Sequence, residues 1–326
     1  MGMLVNGQWT EEEPEGEYGR GADGAFHRTN AAFRDRITKD GSSGFKAEAG
    51  RYHIYASYNC PWAHRTLIFR AIKGLTDAVT VSHDLPSIRT QGRTFGPHPE
   101  YPDCEPDILH GFNFLHQAYA LHDPHYTGKV TVPTLWDKKT NRIVNNESSE
   151  IIRMLNSEFV GVAGNDKDFY PEELRAQIDE INAFVYPNVN NGVYRCGFAV
   201  TQDAYNAAFD TLFAALDTLD ERLGKQRYLV GNRITEADWR LLTTLLRFDA
   251  AYFHAFKCNK KRIADYPNLL NFARELYQYP GVAATVRPRY YVNGYFSILR
   301  VNPNGIIPRG TPAPDFSLPH DRARFG

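Results

Sequence analysis

The sequence predicts an α/β domain followed by an all-helical domain. Its 326 residues exceed the usual size of one compact domain, which favours two. Strand-like and helix-like segments alternate in the first half, whereas the second half has a helical period. That period is clearest in the series Phe209, Leu212, Phe213, Leu216, Leu219 and Leu223. We expect an N-terminal extension over residues 1–45, an α/β domain over 46–160, and a helical domain over 170–326 with an irregular tail.

The α/β domain is predicted to open with a strand, a tight turn and a helix. Residues 51–58 are β-formers, with alternate apolar positions, and Asn59-Cys60-Pro61 stops the strand. Apolar residues at helical spacing from Leu67 to Leu75 then predict a helix that starts at Pro61, because proline suits a first helical turn. Cys60 therefore lies at a helix N-terminus.

The remaining elements complete a recognisable order. We expect a strand over residues 78–85, a polar insertion over 86–106 and a helix through Phe112 and Leu115. A hairpin of residues 131–137 and 142–144 follows, and then a helix that begins after Asn146. The order βαβαββα is that of a thioredoxin-like domain, a fold that places a cis-proline beside its active site, at the position of Pro133.

The ends of the chain and the second domain carry weaker signals. The first 45 residues are acidic at 11–13 and Gly-rich at 41–44, without a sustained period, and are predicted to wrap the domain. Thr235-Glu236-Ala237-Asp238 is typical of a capping box with Asp in place of Glu, so a central helix is expected to start there. The tail beyond Arg300 is predicted to be irregular.

Composition and charge exclude several classes of function. A formal net charge of -1 provides no global field for nucleic acid or an anionic membrane, so the expected partners are small molecules or another subunit. The sequence shows neither a secretion signal nor an apolar run of bilayer length, which predicts a cytoplasmic protein.

Metal and disulfide chemistry are not favoured. The cysteines Cys60, Cys104, Cys196 and Cys258 lie far apart and form no CxxC, so neither a disulfide framework nor a zinc site is expected. Several histidines lie between His98 and His125, but Pro124 disrupts helical ligand spacing there. We interpret them as solvated side chains and expect no metal.

Cys60 is the strongest candidate for chemistry. A helix N-terminus presents unpaired N–H groups and a partial positive charge, both of which favour a thiolate over a thiol. His64 and Arg65 in the same first turns are easier to explain if an anion binds nearby, although an ordinary solvated face is the alternative. A buried, inert cysteine is the alternative for Cys60 itself. Because Cys60-Pro61-Trp62-Ala63 has no second cysteine, a mixed disulfide with a small thiol is the expected intermediate.

That thiol needs a binding site. Backbone groups of Val132 can pair with an extended peptide, and Glu147 with Ser148 at a helix start can hold an amino and a carboxylate group. The alternative for Glu147 and Ser148 is a plain helix cap.

Three groups of motifs together resemble the Xi-class glutathione transferases, which are the glutathionyl-hydroquinone reductases. They are Ser57-Tyr58-Asn59-Cys60-Pro61-Trp62-Ala63-His64-Arg65; Val132-Pro133 with Glu147-Ser148; and Asn190-Asn191-Gly192-Val193-Tyr194 with Gly197-Phe198-Ala199. Arg289-Tyr290-Tyr291, Asn302-Pro303 and Gly305-Ile306-Ile307-Pro308 fit the same family. The resemblance covers roughly residues 50 to 310.

The resemblance implies a fold, a reaction and partners. The implied fold is the glutathione-transferase architecture, and the implied assembly is a homodimer. The Cys60 thiolate is expected to attack the sulfur of a glutathionyl-hydroquinone, and a second glutathione to resolve the mixed disulfide. By motif, Tyr194 and one of Tyr290 or Tyr291 are the candidate proton or hydrogen-bond donors to the quinol, whereas each tyrosine taken alone fits a packing role.

Arg93 is the point at which the chain departs from the family, which usually has a tryptophan against the bound glutathione there. A guanidinium at this position can engage a thiol carboxylate, or can suit another low-molecular-weight thiol such as mycothiol. The expected co-substrate contacts are Arg93, Val132, Pro133, Glu147 and Ser148. The co-substrate is expected to be glutathione, with mycothiol as the alternative.

Three rival functions remain open at this point. A glutaredoxin-like thioltransferase or dehydroascorbate reductase would use Cys60 without the tyrosines. A non-catalytic interaction module of the transferase type would not use it at all. A conjugating transferase would activate its co-substrate with Ser or Tyr rather than attack with Cys.

Overall fold

The computed structural model describes residues 2–11, 21–87, 90–310 and 313–326, and these fall into two compact units. Unit 1 contains residues 2–11 and 29–167, and unit 2 contains residues 21–28 and 168–326. The predicted extension is therefore divided between the units. The acidic positions 12 and 13 lie outside the described residues.

Unit 1 contains all the strands of the described chain. They are β1 (Met3–Val5), β2 (Gln8–Thr10), β3 (Ile37–Thr38), β4 (Phe45–Lys46), β5 (Tyr52–Ala56), β6 (Val79–His83), β7 (Thr134–Asp137) and β8 (Arg142–Asn145). Its helices are α1 (Pro61–Ile72), α2 (Leu115–His122) and α3 (Ser148–Ser157).

Unit 2 is helical, and two π-helical segments interrupt its α-helices. Its α-helices are α4 (Arg175–Val185), α5 (Gly192–Phe198), α6 (Gln202–Lys225), α7 (Glu236–Arg247), α8 (Phe253–Ala255), α9 (Pro267–Tyr277) and α10 (Pro288–Phe296). Two π-helical segments, Tyr186–Asn190 and Phe248–Tyr252, precede α5 and α8, and wide turns of this kind are frequent at functional sites.

The main sheet has the order β6-β5-β7-β8. β5 pairs in parallel with β6 and antiparallel with β7, which in turn pairs antiparallel with β8. Every residue of β5 is buried, as expected for a central strand, and α1 packs against α3. The predicted order βαβαββα is confirmed, and it brings the start of α1 to the carboxyl end of β5.

The N-terminal extension is more regular than its sequence predicts. β1 and β2 form an antiparallel hairpin, and β3 pairs in parallel with β4. The Trp9 indole of β2 stacks on His116 at 5.0 Å and donates to the carbonyl of Thr90 at 2.9 Å. Strands of two or three residues are too short to produce a visible period, so tertiary contacts of this kind decide the structure.

The central helix of unit 2 begins where the sequence predicts. Thr235 caps α7, and the Asp238 carboxylate accepts hydrogen bonds from the backbone N–H and the hydroxyl of Thr235. Every residue of α7 is buried, which makes this helix the centre of the unit. Within the described ranges, no helix has the length and apolarity needed to span a bilayer.

Candidate active site

Cys60 is the N-cap residue of α1. Its backbone is extended, with φ -80° and ψ 121°, and its carbonyl accepts the first helical hydrogen bond, from His64 at 3.0 Å. Pro61 occupies the first helical position, and no acidic residue lies in the first turn. The half-buried thiol therefore faces the positive end of a helix dipole that no neighbouring carboxylate on that turn offsets.

The predicted neighbours of the thiol on the next loop are present. The Cys60 Sγ lies 3.6 Å from the carbonyl oxygen of Val132, and the Val132–Pro133 peptide bond is cis. Val132 is buried and leads directly into β7. The turn after β5 and the turn before β7 are thus brought together at one end of the sheet.

Arg65 connects α1 to the predicted thiol-binding residues. The Arg65 side chain is buried, and its Nη1 lies 3.4 Å from the hydroxyl of Ser148, at the first position of α3. The guanidinium also lies 5.9 Å from the ring centre of Trp62. A buried cation beside a helix start is a suitable environment for an anionic ligand, whereas a solvated helix face would leave Arg65 exposed.

Glu147 acts as the cap of α3. Its carboxylate accepts from the backbone N–H of Ser149 at 2.9 Å and from the Ser149 hydroxyl at 2.7 Å. The Glu147 N–H donates to Asn145 at 2.7 Å, so this turn is rigid. Glu147 therefore performs the capping role, and the use of Glu147 and Ser148 by a ligand stays a prediction.

Arg93 forms a buried ion pair. Its Nη1 lies 2.6 Å from the Oδ2 of Asp84, and only 16% of the Arg93 side chain and 1% of the Asp84 side chain are exposed. Burial raises the pKa of the Asp84 carboxyl, and the Arg93 charge opposes that rise. No sequence pattern indicates this partner, because Asp84 follows a strand like any loop residue.

Unit 2 contains a cluster of three tyrosine hydroxyls. The Oη of Tyr295 lies 2.6 Å from that of Tyr194 and 3.0 Å from that of Tyr252. Burial, and then the neighbouring Tyr194, raise the pKa of Tyr252 well above its usual value, so this phenol keeps its proton. When phenol hydroxyls are linked by hydrogen bonds, one phenol can donate a proton to a bound molecule and recover a proton from the neighbouring phenol.

Aromatic rings and arginine side chains surround this tyrosine cluster. Phe256 and Phe198 lie within 5.2 Å and 6.2 Å of Tyr194, measured between ring centres. The guanidinium of Arg28, from the N-terminal extension, lies 4.8 Å above the Tyr194 ring. Tyr194 is therefore packed among aromatic rings, with the Arg28 cation on the face of its own ring.

The other predicted tyrosines lie on α10 but are placed differently. Tyr290 and Tyr291 are both buried. The Tyr291 hydroxyl accepts from the backbone N–H of Arg287 at 3.2 Å, and the Arg247 guanidinium lies 3.9 Å above its ring. Tyr194, the third predicted tyrosine, belongs to the hydroxyl cluster.

Sequence reasoning missed Tyr295 and Tyr252. Tyr295 lies one helical turn beyond Tyr291 on α10, and Tyr252 ends the second π-helical segment. The chain has 19 tyrosines, and Tyr295 meets Tyr194 across 101 positions of sequence, so no local pattern distinguishes it. The π-helical segment shows only in the coordinates.

Comparison with known proteins places the chain in a family. The family model for the glutathione S-transferase N-terminal domain matches residues 59–158, and the model for the C-terminal domain matches residues 202–275. "Glutathionyl-hydroquinone reductase YqjG" of Escherichia coli is 47% identical over 100% of both chains. "Glutathionyl-hydroquinone reductase PcpF" of Sphingobium chlorophenolicum is 48% identical over 96% of this chain and 97% of its own.

Solved structures agree with these relatives. The structure of a Xi-class glutathione transferase from Natrialba magadii is 42% identical and covers 100% of this chain and 97% of its own, with a TM-score of 0.91. The glutathione-bound structure of YqjG from Escherichia coli is 48% identical and covers 92% of this chain and 98% of its own, with a TM-score of 0.87. The chain belongs to the Xi-class glutathione transferases, the glutathionyl-hydroquinone reductase family.

Proposed function

We propose that this enzyme is a thiol-dependent reductase that removes the glutathionyl group from S-conjugated hydroquinones through a Cys60 mixed disulfide. The observation that carries the proposal is the half-buried Cys60 thiol at the N-terminus of α1, 3.6 Å from the Val132 carbonyl that precedes the cis bond. The printed names of the two full-length relatives, both glutathionyl-hydroquinone reductases, support the choice of substrate.

The proposed reaction has two steps, and the bonds, electrons and protons of each step are accounted for. In the first, the Cys60 thiolate attacks the glutathionyl sulfur, a sulfur–sulfur bond forms, and the bond from that sulfur to the aromatic carbon breaks. The electron pair of the broken bond remains on the ring carbon, which takes a proton as the hydroquinone leaves. In the second, the thiolate of another glutathione attacks the mixed disulfide, releases glutathione disulfide and restores the Cys60 thiolate.

The proton for the ring carbon is proposed to come from a tyrosine. Tyr194, Tyr290 and Tyr291 are the candidates by motif, and the geometry of unit 2 favours Tyr194, because its hydroxyl is linked to Tyr295 and through it to Tyr252. Positioned general acids of this kind contribute about 100-fold or more to a rate.

The co-substrate is proposed to be glutathione, with mycothiol as the alternative. Val132 and Pro133 would pair with the backbone of the thiol, and Ser148 with the adjacent Arg65 would receive a carboxylate. Glu147 would hold the amino group while its carboxylate also caps α3. A homodimer in the reducing cytoplasm completes the proposal.

Intact-mass analysis after incubation with glutathionyl- and mycothiyl-hydroquinones tests the nucleophile and the thiol together. The expected result is an adduct of one glutathione on Cys60 that a second glutathione removes. Cys60→Ser should abolish both the adduct and turnover, whereas Cys104→Ser, at a buried cysteine of the same unit, should retain both. Turnover that survives Cys60→Ser would favour a conjugating transferase. An adduct formed only with the mycothiyl-hydroquinone would show that mycothiol, and not glutathione, is the co-substrate.

A glutaredoxin-like thioltransferase is the second candidate, because it uses the same cysteine. Its rates would be higher on small disulfides than on the thioether of a glutathionyl-hydroquinone. The hydroxyl cluster of unit 2 favours the thioether, since only that bond cleavage requires a proton on carbon.

A further inference from the structure

Tyr119, on α2, is a buried tyrosine whose hydroxyl contacts the loop that leads into β7. The residue is 0% exposed, and its hydroxyl donates to the carbonyl of Thr131 at 3.0 Å. The backbone N–H of Thr131 donates to the same hydroxyl at 3.2 Å, and the hydroxyl oxygen of Thr134 lies 3.0 Å away. These contacts lie on either side of Val132 and Pro133, so the phenol holds the loop that carries the cis bond.

Asn146 joins this loop to the second loop of the proposed thiol site. Its side-chain amide donates to the Tyr119 hydroxyl at 3.2 Å and to the Thr131 hydroxyl at 3.1 Å. Asn146 is buried and directly precedes Glu147 and Ser148. One phenol and one amide therefore connect the loop before β7 to the start of α3.

A segment of the N-terminal extension holds Asn146 from its other side. The Phe33 N–H donates to the side-chain carbonyl of Asn146 at 3.0 Å, and the Asn146 N–H donates to the Phe33 carbonyl at 3.0 Å. The Phe33 ring lies edge-on to Tyr119, with 5.6 Å between the ring centres. The Asn146 amide is thus fixed in one orientation, with its oxygen toward the extension and its NH2 group toward Tyr119 and Thr131.

The thiol site of the proposed function spans two loops whose spacing is not set by the sheet alone. In the described chain, backbone pairing between β7 and β8 ends at Leu135 and Asn145. Beyond that pair, the side chains of Tyr119 and Asn146 join the two loops. A ligand that contacts both loops binds tightly only when their spacing is set beforehand, because ordering a loop on binding reduces the affinity. The hydrogen bond between Tyr119 and Asn146 is therefore placed to control affinity.

We propose that Tyr119 and Asn146 are positioning residues that set the spacing of the two loops of the thiol site, and thereby the affinity for the small thiol. The inference rests on the proposed function in taking the loops at Val132 and at Glu147 as thiol contacts. Neither side chain is required to touch the ligand, because each holds a residue that adjoins a proposed contact. The expected effect is on co-substrate affinity rather than on the rate of the bound complex.

The test is the binding of S-methylglutathione to the full-length protein, followed by calorimetry. The methylated sulfur cannot enter thiol–disulfide exchange, so binding alone is measured. Tyr119→Phe, which removes only the hydroxyl, should weaken binding by about tenfold, because the ligand must then order the two loops itself. Asn146→Ala should weaken binding by a similar factor. The double variant should lose little more affinity than either single variant, since both residues act through one contact.

Tyr52→Phe is the matched control for a merely structural role. Tyr52 is also a fully buried tyrosine of unit 1, and its hydroxyl donates to the carbonyl of Lys46, on β4, at 2.7 Å. Tyr52→Phe should lower the free energy of unfolding much as Tyr119→Phe does, but should leave the affinity for S-methylglutathione within about twofold. In turnover, Tyr119→Phe should raise KM for glutathione and leave kcat unchanged, because the bound co-substrate restores the order of the loops.

Unchanged affinity in a folded Tyr119→Phe protein, or an equal loss of affinity in Tyr52→Phe, would overturn the inference, because the Tyr119 hydroxyl would then contribute only to stability. Circular dichroism identifies a variant that fails to fold. In that case Thr131→Val, which removes the hydroxyl that accepts from Asn146, takes the place of Tyr119→Phe and should weaken binding in the same way. Wild-type protein that does not bind S-methylglutathione would refute the proposed co-substrate and this inference together. A glutathione adduct on Cys60 with unchanged affinity in the variants would refute the inference alone.

Discussion

Tyr295 is the residue on which the tyrosine cluster depends, because its hydroxyl contacts both Tyr194 and Tyr252. We expect Tyr295→Phe to lower kcat/KM for a glutathionyl-hydroquinone by about 100-fold, since the cluster loses the hydroxyl that links Tyr194 to Tyr252. Steady-state kinetics measure this, and alkylation of Cys60 should be unaffected.

The matched comparison for Tyr295 uses two other tyrosines of unit 2. Tyr205 donates its hydroxyl to the carbonyl of Lys257 at an exposed site, so Tyr205→Phe should leave kcat/KM unchanged. Tyr291→Phe removes an acceptor for the Arg287 N–H and should mainly reduce stability, by about 1 kcal/mol. A larger kinetic loss in Tyr291→Phe than in Tyr295→Phe would show that the motif-based choice was the right one.

At the scale of single residues, the sequence indicates which residues are reactive better than it indicates which distant residues contact them. Cys60 and Pro133 were predicted because their neighbours in sequence create their environment: a strand end, a helix start and a strand start. Arg93 was noticed only as an unusual residue, because its partner Asp84 lies on another loop. The partners of Tyr194 were missed for the same reason, since contacts between distant segments leave no local pattern.

The cap of α7 gives a prediction at the scale of an element. Asp238 is buried and accepts hydrogen bonds from Leu229 and Thr235, yet burial raises its pKa from 3.8 to about 6. A carboxyl with a raised pKa binds its proton more tightly in the folded state. Its contribution to stability is therefore fully present below pH 4 and lost as the pH rises through 6.

Denaturant unfolding of wild type and Asp238→Asn between pH 4 and 8 measures this contribution. Replacing the carboxyl by an amide lowers the free energy of unfolding by an amount that does not depend on pH. In addition, the free energy of unfolding of the wild type should fall by about 2–3 kcal/mol relative to that of Asp238→Asn as the pH rises from 4 to 8. A flat difference for Asp238→Asn would contradict the shifted pKa.

At this scale the sequence predicted most of the molecule. α1 and β5, which have a long apolar period, begin and end near the predicted residues, and α6 contains the predicted apolar series. The hairpin of β1 and β2 was missed, because three-residue strands are stabilised by partners such as Gly128, which pairs with Leu4. The π-helical turn before α5 was missed because its sequence also suits an α-helix.

At the scale of the whole molecule, the N-terminal extension is shared between the units. Within unit 2, the carbonyl of Gly24 accepts from Val200 N at 3.0 Å, and Phe26 lies 5.4 Å from the Phe198 ring. These contacts join positions more than 170 residues apart. The sequence could therefore predict that the N-terminal extension wraps a domain, but not which unit each part of the extension joins. The prediction of domains at 46–160 and 170–326 stays untested at its exact boundaries.

The four cysteines differ in exposure across the chain, which gives a prediction for the whole protein. Cys60 is half-buried, whereas Cys104, Cys196 and Cys258 are at most 2% exposed. Burial raises the pKa of the Cys258 thiol well above its usual value, which makes it a still poorer nucleophile.

With a chromogenic disulfide at pH 7, the native protein should release one equivalent of thiolate rapidly and four in denaturant. Cys60→Ser should remove the fast phase and leave three thiols in denaturant, because only an accessible thiolate at a helix start reacts at once. A fast phase that persists in Cys60→Ser would mean that a buried thiol is exposed by local opening, and the reactive cysteine would then have to be sought among the other three.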